Sequence, residues 1–423
     1  MLKKIFGTII SKSLTSICNF LVVILTAYYL GAEGRGEMAI IVMGFSIINL
    51  FQGLVGGSAL VYLTPRYHFF SILISSYVWA ILMSLMVGSA LLLFNLYPAA
   101  YFKDLILISF LQGILSANQL LLLGKERIKE QNFLEITKAI ILVLAMLLHF
   151  VILKKFSLIS IIHSIYLSVL IPTIVSFFYL KKHLDSFYIL NIKYLIKDFF
   201  KYGFSMQLNQ ISQLFNYRFC FYLLDKFQGK ATLGIFSIAI AVAETAWVIC
   251  RSIATIQYTR ISNSNDDNYK TELTVSFSKL SLMATIPVLT TMLLLPKNIY
   301  ISLFGIEFES IQTIILALTP GIMALSFFTI INHYYAGIGK NVVNVKGALI
   351  GNISLLFFGF ILIPKYAAIG AGIANSMAYI FMLAFLVRIF AKEQKINLMI
   401  FFPSKNDIKM AFFQLKSALT TIK

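Results

Sequence analysis

Three charged residues of this chain stand where charge is costly. Arg218 belongs to the stretch NQISQLFNYRFCFYLL (209–224), and Glu244 and Arg251 belong to the apolar run that follows it. A guanidinium in such a place suits bidentate recognition of a carboxylate or phosphate, because its planar fork of donors matches those oxygens. A carboxyl there must be neutral, paired or hydrated, since a charge at a bilayer centre costs about 2.5–3.5 kcal/mol on insertion scales. Glu244 and Arg251 are seven apart, which puts them on one helix face about 10 Å apart along the axis. Arg218 falls near one end of its run and Arg251 near the opposite end of the next, so an anion would meet a guanidinium near either mouth. Snorkelling to the nearer interface is the alternative for each arginine.

Amides surround the first of these charges. Asn209, Ser212, Gln213 and Asn216 recur at i, i+3, i+4 and i+7, one continuous face, with Gln207 and Gln210 beside it. A thinner polar stripe of Lys12, Thr15, Ser16, Asn19 and Thr26 runs along the first apolar segment. Arg35, between Glu33 and Glu37 in a short turn, reads either as a gate latch or as part of a solvated turn. His149, His163 and His333 are isolated and read as structural or interfacial. Cys18, Cys220 and Cys250 show no metal-ligand spacing and no disulfide framework. With no Walker motif, metal-ligand set or catalytic triad spacing, the sequence points to no metal or cofactor, and to neither ATP drive nor hydrolysis.

The elements that must carry these residues are membrane helices. Of 423 residues, 59 % are hydrophobic and 12 % charged, against roughly 25 % charged in a soluble domain. About twelve runs reach the roughly 20 apolar residues that one crossing needs. The net charge of +18 raises the question of nucleic acid, and the positive-inside bias answers it. With the N-terminus inside, cytoplasmic segments and helix ends hold 25 of the 35 Lys and Arg and outside segments hold eight. Both termini are therefore expected in the cytoplasm, with membrane lipid rather than nucleic acid as the neighbour. The first segment follows Lys3 and Lys4 but lacks a convincing cleavage site, so it is expected to stay as an anchor.

The halves resemble each other. Gly31/Gly36 and Gly229/Gly234 are equivalent Gly-x4-Gly turns, and GKERIKEQN (124–132) parallels GKNVVNVKG (339–347). Repeats in the same order at near-constant offset predict two six-helix bundles, the pattern of transporters built from parallel repeats. The expected organisation is a first bundle at 1–180, a linker at 181–201, a second bundle at 202–391 and a basic tail at 392–423. Lys193, Lys197 and Lys201 against Ile192, Leu195, Ile196, Phe199 and Phe200 make the linker an amphipathic, interfacial helix. The tail is read the same way.

Two motifs carry a family resemblance. LGAEGRGEMAI (30–40) resembles the LGPEGxGxYA signature of oligosaccharide flippases, with Met38 in the place of the usual tyrosine. GIGKNVVNVKGALIGNISLLFFGFILIPKYAAIGAGIANSMAYIF (337–381) resembles the pattern of a Gly-Lys loop, an apolar span and IPxYGxxGAAxA, with Ala367 where glycine is usual. The chain thus resembles the Wzx-type O-antigen and polysaccharide flippases, in the polysaccharide branch of the multidrug/oligosaccharidyl-lipid/polysaccharide exporter superfamily. The resemblance covers the whole chain in span number and loop length. It implies an all-α, MATE-like, V-shaped pair of six-helix bundles in the bacterial cytoplasmic membrane. It also implies that undecaprenyl-pyrophosphate-linked oligosaccharide crosses to the periplasmic leaflet, with a polysaccharide polymerase and chain-length regulator as companions.

Under that resemblance, Arg218, Arg251, Asn209, Gln213, Asn216 and Asn19 are the candidate substrate-binding residues, and Arg35 is the candidate gate. Glu244 is a candidate coupling site for H+ or Na+, an internal counter-charge, or a hydrogen-bonding group for the glycan. A multidrug exporter of the same superfamily would share the architecture but favour acidic residues to attract cationic drugs. A membrane O-antigen polymerase or ligase would carry a large periplasmic loop, whereas here the longest outside loop is about fifteen residues, 296–310.

Overall fold

The computed structural model describes residues 2–57, 59–184, 192–262 and 264–401, and these are helical apart from short connections, with no strand among them. The helices are α1 (Leu2–Gly56), α2 (Ala59–Leu63), α3 (Phe69–Leu93), α4 (Phe102–Gly124), α5 (Ile128–Leu147), α6 (Leu158–Lys181), α7 (Ile192–Ser262), α8 (Asp267–Leu294), α9 (Lys297–Phe304), α10 (Ile311–Gly337) and α11 (Asn341–Gln394). Nine helices among the described residues are long and apolar enough to cross a bilayer. Three of them are too long for one crossing: α1 has 55 residues, α7 has 71 and α11 has 54. Each contains one residue with non-helical torsions that divides it into two crossings: Gly31, Gly229 and Ala367. Splitting the three gives the twelve passes expected from the apolar runs.

Those three residues explain the chain reversals. Gly31 has φ 68° and ψ −172°, and Gly229 has φ 81° and ψ 172°, a conformation that glycine adopts without steric cost and L side chains avoid. The two glycines paired by the sequence repeat therefore make the same turn. Ala367 does a similar task at φ 50° and ψ −128°, but with a Cβ, at the position where the resembling family has glycine.

The chain divides into two compact units, Met1–Leu214 and Phe215–Lys423, with the division inside α7. In the first unit, one apolar cluster gathers Phe45, Ile48, Tyr97, Ile108, Met146 and Phe150. A second gathers Leu60, Leu63, Phe69, Leu121, Leu134 and Leu180, and receives Leu195 and Phe199 from the start of α7. Polar locks tie the helices where hydrocarbon offers no alternative partner. The Gln52 amide donates to Ser84 Oγ (2.9 Å) and to the Ser109 carbonyl (3.0 Å). Tyr77 donates to Asn118 Oδ1 (2.6 Å), and Asn118 Nδ2 donates to Ser176 Oγ (2.7 Å).

The second unit uses the same device at a break in α10. Pro320 lies inside that helix and removes one ladder donor. Just beyond it, the Ser376 hydroxyl of α11 donates to the Ala317 carbonyl (2.6 Å) and accepts from the Gly321 N–H (3.1 Å). A side chain inserted into the ladder both bends the helix and satisfies it. After α11, the 3₁₀ turn Leu398–Phe401 folds back, and buried Phe401 packs on Phe327 and Phe390 at ring separations of 5.0 and 5.9 Å. The remainder of the expected tail, 402–423, and the linker residues 185–191 lie outside the described residues. The rest of the expected linker helix is the beginning of α7, continuous in backbone with the crossing that follows.

The torsions of Ala367 yield a prediction. Ala367→Gly removes a Cβ from a region that costs non-glycine residues about 1–3 kcal/mol. The apparent melting temperature of the purified protein should rise, while Gly31→Ala and Gly229→Ala should each lower it. A lower melting temperature for Ala367→Gly would mean that the turn needs its methyl group more than backbone freedom.

Candidate functional site

The site is built on the two arms of α7 within the second unit. Arg218 precedes the Gly229 turn, and Glu244 and Arg251 follow it on the returning arm. Arg218 and Arg251 are the two cations whose fields act on the Glu244 carboxyl. Among the described residues neither guanidinium comes within ion-pairing distance of it. The set is a carboxylate and two cations that act on it at a distance, with a formal charge of +1 when Glu244 is ionised.

Each guanidinium leans on an aromatic ring of its own helix. Arg218 sits 5.0 Å from the Phe221 centroid, and Arg251 sits 4.9 Å from the Trp247 centroid. Such contacts stabilise a cation by about 0.5–2 kcal/mol, more where water is excluded. The Trp247 indole is fixed in turn, since its Nε1–H donates to Thr329 Oγ1 of α10 (2.8 Å). The Tyr379 hydroxyl, on the second arm of α11, acts electrostatically on Arg218. Arg218 is half-buried, and its Nε is a buried donor without an acceptor among the described residues. Arg251 is exposed. Both cations thus keep donor capacity that a phosphate could use.

The returning arm of α7 extends this face. Glu244, Trp247, Arg251, Thr255 and Tyr258 follow at helical spacing along one flank, and Tyr258 meets His333 of α10 edge-on at 6.3 Å. His333 is held through a hydrogen bond between Nδ1 and the Thr329 carbonyl (2.8 Å). The opposite flank is the packing face: Ala243, Ala246, Cys250, Ala254 and Gln257 are fully buried, and Gln257 donates to Thr274 Oγ1 of α8 (2.9 Å).

The amides predicted to accompany Arg218 separate into different environments. Asn216 is 2 % exposed, and its Nδ2 points to the Ala348 carbonyl of α11 at 3.5 Å. Ser212 is buried and Gln210 exposed. The side chains of Asn209 and Gln213 lie outside the described residues. Gln207 is buried in the first unit, where its amide donates to the Leu50 carbonyl and rests against Gly53. Its role there is to lock α7 to α1.

In the first unit, Asn19, Lys12 and Ser16 are exposed on α1, while Thr26 is fully buried. Thr26 Oγ1 accepts from Arg35 Nη1 (3.1 Å) and donates to the Val22 carbonyl (2.7 Å). Arg35 is half-buried and also touches Met38 Sδ at 3.3 Å. Arg35 therefore clasps the two arms of α1 across the Gly31 turn.

Several polar groups here were not singled out from sequence. Trp247 and Tyr379 are among them, although a tryptophan four residues before an arginine is a detectable stacking signal. Asn375, one turn before Tyr379, is fully buried with both amide atoms unpartnered among the described residues. Lys138, not named among the candidate residues, is half-buried in α5 one turn from Glu135, the charge that acts on it.

No family model matches the chain. Over 163 residues, 37 % of the chain and 40 % of the relative, it is 29 % identical to the capsular polysaccharide biosynthesis protein CapF of Staphylococcus aureus. Over 197 residues, 46 % of the chain and 39 % of the relative, it is 26 % identical to the uncharacterized membrane protein MJ1068 of Methanocaldococcus jannaschii. The chain spans about two fifths of the length of these curated relatives.

Solved structures share the fold over nearly the whole chain. The lipid II flippase MurJ in an inward closed conformation aligns with a TM-score of 0.73 at 19 % identity, over 98 % of this chain and 91 % of that one. An inward-facing multidrug resistance MATE family transporter of the MOP superfamily aligns with a TM-score of 0.72 at 12 % identity, over 92 % and 99 %. An outward-facing MATE family transporter aligns at 0.64 and 14 % identity, over 92 % and 94 %. The chain is a multi-pass, all-helical membrane protein with a MATE-like fold.

The coupling between Arg218 and Glu244 can be measured by a double-mutant cycle. Arg218→Gln and Glu244→Gln should each lower the apparent melting temperature, and the double variant should lose less than the sum. The expected coupling is about 0.5–3 kcal/mol, the range for groups in one electrostatic network. Strict additivity would mean that the two charges do not sense one another.

Proposed function

We propose that this protein is a flippase that carries undecaprenyl-pyrophosphate-linked oligosaccharide from the cytoplasmic to the periplasmic leaflet by alternating access. The observation that carries the reading is the charge set of the second unit, two guanidinia and one carboxyl in the membrane-spanning part of α7. A lipid-linked oligosaccharide has a tail at home in hydrocarbon and a pyrophosphate head that needs cationic donors and hydrogen bonds on the way across. Arg218 and Arg251 supply forked donors of the right charge, and Tyr258, Thr255 and Trp247 supply hydroxyl and aromatic surface beside them. The tail stays in lipid throughout.

Glu244 gives the site a means of coupling. While ionised, it competes with an incoming phosphate for both arginines. Taking up a proton or a sodium ion cancels that competition and leaves both guanidinia to the phosphates. Release of the ion restores the carboxylate and expels the anionic head. Transport then depends on an ion gradient and needs no nucleotide.

Support also comes from the fold shared with a lipid II flippase and from local sequence similarity to a capsular polysaccharide biosynthesis protein. The MATE neighbours make a multidrug exporter the second reading. That reading calls for an acidic excess to attract cationic drugs, whereas here each carboxylate charge at the site faces two guanidinia. A glycosyltransferase would need a catalytic set, which the sequence does not supply.

Complementation of a strain lacking its own flippase tests both parts. Arg218→Ala and Arg251→Ala should each lower surface polysaccharide at unchanged protein level, with the Lys variants retaining more. Full activity of both Ala variants would reject the cationic site. Glu244→Gln should abolish the dependence of transport on proton or sodium gradients in vesicles, and an unaltered gradient response would remove Glu244 from coupling.

A further inference from the structure

The start of α7 and the outer face of α3 enclose an apolar groove that the site above does not use. It has a volume of about 290 Å³ and is walled by Val55, Ile74, Val78, Trp79 and Leu82 on one side and Ile196, Phe199 and Phe200 on the other. No wall offers a spare polar group. The Trp79 indole N–H donates to the Phe51 carbonyl (3.0 Å), and the Ser75 hydroxyl donates to the Ser71 carbonyl of its own helix (2.8 Å). The groove opens outward, since Val78, Leu82, Ile196 and Phe200 are each between 42 and 50 % exposed. Its chemistry suits hydrocarbon alone.

What stands at the end of the groove tells which hydrocarbon. Lys193, Ile196, Lys197 and Phe200 follow at i, i+3, i+4 and i+7, and all four are exposed on one face of α7. The inward side of the helix is sealed: Leu195 and Phe199 are buried in the inner cluster of the first unit, and Phe199 forms the inner end of the groove wall. The Asp198 carboxylate accepts from the Tyr67 hydroxyl (2.8 Å). The helix is held in place, and its carboxylate is occupied by an uncharged partner. Neither Lys193 nor Lys197 makes an ion pair among the described residues. About 10 Å along the axis separates Lys193 from Phe200, so one amphiphile could set an anionic head on the lysines and lay its chain beside Phe200 and Trp79. The positive-inside bias places this end of the unit at the cytoplasmic leaflet.

We infer that the groove holds one acyl chain of an inner-leaflet phospholipid with an anionic headgroup, whose phosphate is bound by Lys193 and Lys197. The bound lipid fills the seam between α3 and α7 and stabilises the packing of the first turns of α7 on the first unit. The inference does not depend on the transport reading, because it concerns a resident lipid and not the cargo.

Native mass spectrometry of the full chain, released from mild detergent with added lipids, tests it. Phosphatidylglycerol should be retained about thirtyfold over phosphatidylcholine with the same chains, as expected for two lysines at a headgroup. Lys193→Gln with Lys197→Gln should level the two. Val78→Trp, which fills the groove, should lower retention of both while elution and helicity stay unchanged. Should that variant fail to fold, Leu82→Trp fills the same space from the next turn. Equal retention of the two lipids by the unaltered protein would overturn the inference, as would undiminished retention in the groove-filled variant. Displacement of phosphatidylglycerol by an equimolar polyprenyl phosphate would also overturn it, and would assign the groove to the cargo's tail.

Discussion

A charge placed in hydrocarbon has to be compensated by the protein itself, and the second unit is arranged around three that are. Replacing water around a guanidinium takes an aromatic face, a hydrogen-bond acceptor or an opposite charge, and Arg218 and Arg251 each have an aromatic face. Glu244 acts on both from a distance. Direct pairing would have closed the site, because a bidentate Arg–Glu pair uses the same donors that a phosphate needs. Stacking on Phe221 and Trp247 holds the guanidinia while leaving their edges open. The stacking therefore holds both guanidinia without using up their donors.

The backbone obeys the same rule of internal satisfaction. Three reversals occur within long helices, and two of them use glycines at positive φ. The third uses Ala367, and α10 is broken at Pro320 and repaired by Ser376. The Ser376 insertion keeps N–H and C=O groups paired beside Pro320 in a medium that supplies no water, while the turns at Gly31, Gly229 and Ala367 join one crossing to the next. Close approach is part of the cost: a Cβ on Gly321 would come within 2.5 Å of the Ser376 backbone, and one on Gly351 within 2.4 Å of Met382. The cores leave little room for rearrangement within a unit.

Much of this was legible in sequence, and what was not shares a physical cause. Apolar runs gave the twelve crossings because a bilayer demands length and hydrophobicity of each segment alone. The Gly31 and Gly229 turns were legible because few residues tolerate that backbone. Helical periodicity placed Glu244 and Arg251 on one face, as the structure has them. Periodicity failed where a polar residue's partner comes from another helix. Gln207 was expected to flank the Asn209–Asn216 face but locks onto Leu50, and Thr26 looked like a member of the Asn19 stripe but holds Arg35. Trp247, Asn375 and Lys138 escaped notice because burial on one side of a helix depends on neighbours that a single chain does not reveal. Side chains whose work is packing and side chains whose work is binding have the same spacing in sequence.

Fold alone does not decide function, since a multidrug resistance transporter and a lipid II flippase share this architecture. The sign of the charge within the membrane is the better guide. A site for cations needs a carboxylate whose field is not cancelled, and the field of Glu244 is opposed from both sides. A site for anions needs guanidinia that remain able to donate, which stacked but unpaired arginines are. Under the coupling proposed above, neutralising Glu244 with one bound ion would turn the set from one net positive charge to two, so that ion uptake and anion affinity would rise together. That linkage would follow from a single titratable acid within the fields of two permanent cations. Under the proposed function, it would let the site alternate between holding and releasing an anionic headgroup.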